Sequence, residues 1–312
     1  MRILKNVHVS LLDWFKQYGR HGLAWRKTDD IYAIFLSEVM LQQTQASRVA
    51  EYYYPHFLQK YPTLKHFARA SLDEILSDWS GLGYYSRARN LHKALNLCKK
   101  TGLPQTMEAL QKLPGVGRYT ASAVCSFALN QKVAVIDTNI KRVLKRYFAQ
   151  MNDKEILKEA EIFLNQDTPK EHNLALMDLG SLLCTSKNPR CPKCPLMLTC
   201  KGINEPEIYT SKQKIQYEKL DIFLGICLVN KKLALVKSSE KLYKGLFVLP
   251  EVEPLEENFI ASFKHSYTKY RLSVFLYTTD YAPQNASYFT YEELLQAPIS
   301  SMIKKAVSFL DF

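Results

Sequence analysis

The stretch LPGVGRYT at residues 113–120 is the part of the sequence that most strongly decides the fold. Gly115 and Gly117 flank Val116, after a proline and before a run of small residues, which indicates a tight hairpin between two helices. The first backbone N–H groups of the second helix have no carbonyl partner within that helix, and such groups suit phosphate. The pattern fits a phosphate-binding turn or a purely structural one.

A carboxylate follows where the apolar run VAVI at residues 133–136 gives way to a segment with helical spacing of apolar residues. Asp137 therefore falls near the N-terminus of a predicted helix. A carboxylate at that place either caps the helix or, in a pocket, should stay ionised, because the helix N-terminus favours negative charge.

Glu38 interrupts the apolar face of a helix that the residue spacing predicts from Ile31 to Gln45. Ile31, Ile34 and Phe35 lie on this face. The next position with the same spacing is residue 38, which is a glutamate instead of an apolar residue. Burial disfavours the charged form of a carboxyl group. Glu38 is therefore either paired with a cation in the core or a proton donor near neutral pH at a pocket wall.

Two further segments have residue types that contact nucleic acids. Gln42, Gln43 and Thr44 follow Leu41 directly, and side-chain amides suit contacts with bases. The loop GLGYYSR at residues 81–87 could wedge an aromatic ring into a base stack while Arg87 binds phosphate. The alternatives are plain solvent exposure for the first segment and a packed turn for the second.

Composition limits the function classes. The chain has 312 residues, enough for two domains, and 47% hydrophobic with 23% charged residues is ordinary for a globular protein. The formal net charge of +12 suggests a polyanionic partner. No apolar run approaches the ~20 residues that span a membrane, and the chain opens into an amphipathic helix. We therefore expect a cytosolic protein without a membrane partner.

Four of the seven cysteines are clustered in a loop interrupted by prolines, with the spacing C-x6-C-x2-C-x5-C. They are Cys184, Cys191, Cys194 and Cys200. Four thiolates at short spacing in a cytosolic protein indicate a metal site more often than disulfides. Zinc suits four sulfurs. A [4Fe–4S] cluster is the sharper hypothesis, since the spacing is not the paired C-x2-C of a zinc ribbon.

The chain changes character near Gly202. Helical patterns fill most of the sequence before it, and a basic, polar linker follows it. Strand-like segments then occupy residues 220–229, 233–236, 246–249 and 270–277, and a helix is predicted over residues 301–309. The sequence therefore predicts a mainly α fold followed by a small α+β domain.

Together these motifs resemble those of the adenine DNA glycosylases, the MutY family of the helix-hairpin-helix glycosylase superfamily. The resemblance rests on residues 37–44, 81–87, 113–120 and 137–139 and on the cysteine loop, and it is weak beyond about residue 200. It implies a two-lobed helix-hairpin-helix glycosylase fold and a Nudix-like module. The implied parts are an iron–sulfur cluster lobe (1–28 and 135–204), a six-helix lobe (29–134), a linker (205–219) and a Nudix-like lesion-recognition domain (220–312).

Members of this family flip an adenine mispaired with 8-oxoguanine, or with guanine, out of double-stranded DNA and hydrolyse its N-glycosidic bond. The resemblance implies that Glu38 protonates the adenine and that Asp137 stabilises the cationic sugar. It further implies Tyr119 and Asn139 in the active site, Trp25, Arg26 and Leu41 in the adenine pocket, Gln43 and Tyr84 at the lesion, and Gly115 to Gly117 on the phosphate backbone. We expect a monomer in the cytoplasm, associated with the nucleoid.

Two positions depart from the family pattern. Leu174 lies where the family has a glutamine or glutamate that contacts adenine, and leucine cannot make that hydrogen bond. The family has a lesion-recognition loop of sequence Phe-Ser-His, and the corresponding residues here are Tyr267-Thr268-Lys269. The resemblance implies that these three residues recognise the lesion. An intact Nudix box is absent from the sequence, so nucleotide hydrolysis is not expected.

Two other functions stay open. Endonuclease III-like enzymes of the same superfamily have a lysine nucleophile at the position of Tyr119, and without that amine no Schiff base forms there. Thr138, however, resembles the endonuclease III pattern more than the glycine expected in the MutY family. A non-catalytic DNA-binding protein would use the hairpin and the positive charge, but it has no reason to bury Glu38.

Overall fold

A computed structural model of the chain describes residues 2–210, 216–240, 243–267 and 269–310. The chain forms two compact units: Met1–His66 with Lys93–Lys212, and Phe67–His92 with Gln213–Phe312. The second unit thus includes a helical segment, residues 67–92, that the sequence-based boundaries assign to the six-helix lobe. Within the described ranges, no helix is both long enough and apolar enough to cross a membrane.

The part of the chain before residue 210 is helical, as predicted. Its α-helices are α1 (Arg2–Tyr18), α2 (Ile31–Leu41), α3 (Ala46–Arg48), α4 (Tyr54–Lys60), α5 (Leu64–Arg69), α6 (Leu72–Asp78), α7 (Ser86–Cys98), α8 (Met107–Gln111), α9 (Arg118–Phe127), α10 (Thr138–Phe148), α11 (Asp153–Phe163) and α12 (Pro169–Leu182). A π-helical segment, Val49–Tyr53, joins α3 to α4. Helix α2 ends at Leu41, four residues before the predicted end, and Gln43 then adopts a left-handed backbone with φ of 58°.

The core of the first unit is formed by apolar faces of α1, α10 and α12. Leu11, Leu144 and Leu179 are completely buried there, and each such side chain stabilises the fold by roughly 1.5–3 kcal/mol. Gly180 lets α12 approach the start of α10, because a Cβ atom at this position would lie 2.8 Å from the Cβ atom of Asn139. This close contact fixes the backbone around Asn139.

The predicted hairpin lies between α8 and α9. Gly115 has a left-handed backbone with φ of 76°, which favours glycine. Val116 buries its side chain, whereas Gly115 and Gly117 are exposed. Gly117 is the N-cap residue of α9, and α9 packs against α2 through buried small residues such as Ala121 and Ala123. The hairpin therefore presents backbone N–H groups to solvent and places Tyr119 beside α2.

The C-terminal part of the second unit is an α+β domain with two sheets. Its elements are β1 (Glu218–Ile226), β2 (Leu228–Val229), β3 (Lys232–Lys237), β4 (Phe247–Val248), β5 (Phe259–Tyr267), β6 (Tyr270–Thr278), β7 (Ser287–Phe289), α13 (Tyr291–Gln296) and α14 (Ser301–Val307). One sheet has the order β1-β6-β5, with β1 parallel and β5 antiparallel to β6. In the other, β3 pairs with β2, β4 and β7.

The sequence did not predict β5 or β7. Strand β5 lies at the edge of its sheet, and of its side chains Phe263 is classed as buried. With one buried side chain, β5 lacks the regular alternation of buried apolar and exposed polar residues that reveals a strand in a sequence.

Candidate active site

Glu38 is buried in the middle of α2, where every residue from Tyr32 to Met40 is buried. Its side chain is in contact with Tyr119, whose hydroxyl donates a hydrogen bond to Oε2 of Glu38 at 2.7 Å. Burial raises the pKa of Glu38 to about 7, while the hydrogen bond from Tyr119 acts in the opposite direction. The carboxyl group can therefore carry and release a proton near neutral pH.

Asp137 caps the N-terminus of α10. Its Oδ1 accepts a hydrogen bond from the backbone N–H of Ile140 at 2.6 Å, and its Oδ2 accepts one from Nδ2 of Asn139 at 3.0 Å. Burial raises the pKa of Asp137, although these hydrogen bonds and the charge of Arg142 act to lower it. The helix N-terminus alone would lower this pKa, so burial has the larger effect.

These residues line one cavity of about 230 Å³. The cavity brings together seven side chains that the sequence assigned to the active site and adenine pocket: Trp25, Arg26, Glu38, Leu41, Tyr119, Asp137 and Asn139. Thr44, which the sequence assigned to DNA contact, also lies in its wall. The cavity is open to solvent on one side and has apolar and ionisable walls, an arrangement that suits a flat heterocycle beside an acid.

Leu174 lies in the wall of this cavity on α12, and 8% of its surface is exposed. Leu174 is thus one of the residues that line the cavity together with Glu38 and Asp137. Its side chain has no hydrogen-bonding atom. This part of the wall therefore contributes shape and apolar surface only.

Sequence reasoning missed the ion-pair network behind the cavity. Arg26 makes two hydrogen bonds to Asp178, from Nη1 at 2.6 Å and Nη2 at 2.8 Å, and Arg20 binds the same carboxylate. Burial acts to raise the pKa of Asp178, but the hydrogen bonds and charges of both arginines lower it below its ordinary value. Asp178 interrupts the apolar run of α12 as Glu38 interrupts that of α2, so the same sequence signal could have identified it.

Lys170 also lines the cavity and was not predicted. Its Nζ lies 2.5 Å from Oδ1 of Asp29, and 17% of its side chain is exposed. The amine of Lys170 is thus engaged in an ion pair in the cavity wall.

The predicted DNA contacts in the first unit have different environments. Gly115, Val116 and Gly117 form the exposed hairpin turn described above. Gln42 donates a hydrogen bond to Oγ1 of Thr120 at 3.1 Å, whereas Gln43 is exposed. Gln43 is therefore better placed than Gln42 to contact a ligand outside the fold.

In the second unit, Arg87 does not face solvent, where the expected contact with a phosphate would require it to be. It is buried, with 8% of its surface exposed, and its Nη2 donates to the carbonyls of Leu82 and Gly83 at 3.1 Å each. Its guanidinium group also lies 5.5 Å from the ring centre of Tyr84. The arginine thus faces the inside of its own loop, because the loop carbonyls need donors that the short turn does not provide.

Two of the predicted lesion-recognition residues, Tyr267 and Lys269, lie where β5 ends and β6 is about to begin. Tyr267 is half-buried, and its ring centre lies 5.3 Å from that of Tyr243. Lys269 is exposed and forms an ion pair with Glu218. Thr268 lies outside the described residues.

The four clustered cysteines surround one small cavity after α12. Arg146, which is 2% exposed, donates from Nη1 to Sγ of Cys184 at 3.2 Å and to the carbonyl of Thr185 at 2.7 Å. Its Nε also binds the carbonyl of Pro206 at 2.8 Å. Among the described residues, no three His, Cys, Asp or Glu side chains converge closely enough to hold one metal ion. The thiols therefore face a shared space rather than a single point.

Arg142 connects the cysteine loop to the carboxylate end of the active site. Its Nε donates to the carbonyl of Cys184 at 2.8 Å, and its Nη2 donates to Oδ1 of Asn139 at 3.0 Å. Asn139 in turn donates to Asp137. A continuous chain of hydrogen bonds thus joins the first cysteine to the helix cap.

Comparison with known proteins supplies independent information. The model of the HhH-GPD superfamily of base excision DNA repair proteins matches residues 36–166. The chain is 34% identical over 257 residues to the adenine DNA glycosylase of Buchnera aphidicola subsp. Schizaphis graminum, spanning 78% of this chain and 74% of that protein. It is 39% identical over 230 residues to the human adenine DNA glycosylase, spanning 68% of this chain and 40% of the human protein. A solved thermostable thymine-DNA glycosylase superposes with a TM-score of 0.60 at 29% identity, covering 65% of this chain and 97% of the other.

Proposed function

Because the chain belongs to the adenine DNA glycosylases of the HhH-GPD superfamily, we propose that it removes adenine mispaired with 8-oxoguanine or guanine and does not cut the DNA strand itself. Its partner is double-stranded DNA that contains such a mispair. The chain acts as a monomer in the cytoplasm, associated with the nucleoid. The reaction is hydrolysis of the N-glycosidic bond of a flipped-out nucleotide.

The observation that carries this proposal is the hydrogen-bonded pair of the buried Glu38 and the half-buried Tyr119. A pKa of about 7 lets Glu38 hold a proton at neutral pH and give it to a ring nitrogen of adenine as the bond to the sugar breaks. The adenine then leaves as a neutral base, and the sugar becomes an oxocarbenium-like cation. Water adds to the anomeric carbon and loses a proton.

Asp137 supplies the second carboxylate. It lies in the same cavity as Glu38 and is fixed by Asn139 and the start of α10. A carboxylate at this place stabilises positive charge that develops on the sugar. The two acids thus divide the work, Glu38 as proton donor and Asp137 as electrostatic partner of the cation.

Tyr119 supports a glycosylase without lyase activity. Lyase chemistry needs a neutral amine that forms a Schiff base with the sugar, and a phenol cannot form one. Lys170 lines the same cavity, but its amine is engaged in an ion pair with Asp29. Strand cleavage should therefore require added alkali.

The exposed hairpin turn and the net charge support binding to DNA. The turn of Gly115 to Gly117 offers N–H groups for one phosphate, and a charge of +12 attracts the polyanion from a distance. Gln43 and Tyr84 contact the mispair, and Tyr267, Thr268 and Lys269 contribute to recognition of the oxidised guanine.

A [4Fe–4S] cluster fits the cysteine loop better than zinc does. Cys184, Cys191, Cys194 and Cys200 would hold it, and their C-x6-C-x2-C-x5-C spacing is not the paired C-x2-C of a zinc ribbon. When bound, the cluster supplies a covalent tie within this loop. Arg142 and Arg146 then hold the loop against α10.

Base release under single-turnover conditions tests the proposed function. Duplexes with adenine opposite 8-oxoguanine, adenine opposite guanine, and thymine glycol opposite adenine are compared, and strand breaks are scored before and after alkali. We expect release of adenine from the first two duplexes, with breaks only after alkali. Release of thymine glycol with breaks in the absence of alkali would support an endonuclease III-like enzyme, and binding without any release would support a DNA-binding protein.

A further inference from the structure

The loop of residues 80–85 has an unusual backbone. Gly81 and Gly83 have left-handed φ angles of 92° and 75°, and Tyr84, which is not glycine, has a φ of 48°. A left-handed backbone at a bulky residue is unfavourable and persists where surrounding contacts hold it. The loop that carries Tyr84 must therefore be held by its neighbours.

Two buried donors hold this loop from inside. Arg87 donates to the carbonyls of Leu82 and Gly83 at 3.1 Å, and Nε1 of Trp79 donates to the carbonyl of Gly83 at 3.0 Å. The carbonyl of Gly83 thus accepts from an indole and a guanidinium group immediately before Tyr84. Together these bonds fix the peptide that sets the direction of the tyrosine.

A single carbonyl group of the C-terminal domain holds both ends of the loop. Oγ of Ser80 donates to the carbonyl of Ile299 at 3.0 Å, and the hydroxyl of Tyr85 donates to the same oxygen at 3.3 Å. All of these residues belong to the second compact unit. The loop is therefore tied to the domain that contains Tyr267.

The two aromatic residues proposed to read the mispair share a cavity. Tyr84 and Tyr267 line one space of about 250 Å³, together with Tyr243 and His265. Tyr243 is buried and packs its ring against Tyr267. Anchoring the loop through Ile299 consequently keeps Tyr84 and Tyr267 in the lining of the same cavity.

We propose that Ser80, Tyr85 and Arg87 are positioning residues that hold Tyr84 and Tyr267 as one reading surface for the base opposite the adenine. This inference rests on the proposed function. The three residues do not touch the reacting atoms, so their loss should weaken discrimination between opposite bases more than it slows the chemical step. Arg87 in this role acts inside the protein and not on a phosphate.

The test uses the full chain with a double variant, Ser80→Ala with Tyr85→Phe, which removes both hydroxyl donors to Ile299 while it keeps the ring of Tyr85. The matched control is Ser77→Ala. Ser77 joins the same two segments through the carbonyl of Gln296, but it lies before the loop. A third variant, Arg87→Lys, keeps the charge and loses the forked donor.

Three quantities are measured for each variant: the affinity for duplexes with 8-oxoguanine or guanine opposite an uncleavable adenine analogue, the single-turnover rate of adenine release at saturating enzyme, and the melting temperature. We expect the double variant to lose about tenfold of the affinity preference for 8-oxoguanine, since two hydrogen bonds are removed. Its saturating rate should match that of Ser77→Ala, while the two lost hydrogen bonds lower its melting temperature modestly. Arg87→Lys should lose preference in the same direction.

An unchanged preference in the double variant would overturn the inference, and so would equal losses of preference, saturating rate and melting temperature. If the unmodified chain releases no adenine, the proposed function fails. The affinity preference of the variants still decides whether the loop is held in this way, so the two failures are distinguishable.

Discussion

The hydroxyl of Tyr119 lies 2.7 Å from Oε2 of Glu38 and donates a hydrogen bond to it. Tyr119 follows the hairpin of Gly115 to Gly117, whereas Glu38 lies in the buried middle of α2. The bond thus links the turn that we propose binds DNA to the proposed acid. It also opposes the effect of burial on the pKa of Glu38.

Replacement of Tyr119 by phenylalanine should therefore raise the pKa of Glu38 above about 7, because the charged carboxylate loses a donor. Release of adenine requires the protonated acid, so its rate should fall as the pH rises through this pKa. We expect the falling limb to lie at higher pH in Tyr119→Phe than in the unmodified chain. Single-turnover rates between pH 5 and 9 measure this shift, and an inflection that stays in place or moves to lower pH would contradict it.

Glu38 should also make the fold less stable as the pH rises. Its pKa is raised from an ordinary 4.5 to about 7 in the folded state, so the folded state binds this proton more tightly and stability is lost between these two pH values. Glu38→Gln should thus be more stable than the unmodified chain at pH 8, by up to about 3 kcal/mol. Denaturant unfolding at pH 8 and pH 4.5 measures the difference, which should nearly vanish at the lower pH. A variant that is less stable at pH 8 would show that the charged form is well compensated.

Asp178 should be essential for the stability of the fold, because it neutralises Arg26 behind the cavity. Asp178→Asn leaves the buried guanidinium of Arg26 without its counter-charge, which should destabilise the fold by about 3–5 kcal/mol. The matched control is Asp13→Asn, because Asp13 pairs with Lys16 at the surface and 64% of its side chain is exposed. That change should stay within about 1 kcal/mol. Equal effects of the two substitutions on the free energy of unfolding would contradict the proposed network.

Leu174 should make the pocket tolerant of the exocyclic amine of adenine. The part of the wall that Leu174 forms offers no atom that could accept a hydrogen bond from that amine. A purine nucleotide without the amine should therefore be released at a rate similar to that of adenine. Leu174→Gln adds an acceptor and should favour adenine over purine by about two- to tenfold. The ratio of single-turnover rates measures this preference. A strong preference for adenine in the unmodified chain would mean that another residue reads the amine.

The cysteine loop makes a prediction about metal content. Cys194→Ser should remove most of the iron and the visible absorbance of the purified protein, and it should lower the melting temperature. Cys98→Ser, which changes a buried cysteine outside the loop, should keep its iron. One equivalent of zinc without iron in the unmodified chain would support the zinc alternative instead.

Local patterns in the sequence were sufficient to predict the hairpin, to single out Glu38 and Asp137, which line one cavity, and to mark the cysteine loop. Each is a short motif whose chemistry depends on residues close in the chain, as in the glycine turn or the interrupted apolar face at Glu38. The sequence could not indicate that Arg87 faces inward or that Ser80 and Tyr85 share the carbonyl of Ile299. These contacts depend on how distant segments pack.

The central claim is that Glu38 is the proton donor, and one comparison tests it most directly. Glu38→Gln and the unmodified chain are assayed for single-turnover release of adenine opposite 8-oxoguanine and for affinity toward the same duplex with an uncleavable adenine analogue. We predict that release falls by roughly 10²- to 10⁴-fold while affinity changes little, since the amide keeps the shape of the side chain and can accept the bond from Tyr119. Release at an unchanged rate, or a loss of affinity as large as the loss of release, would contradict the claim.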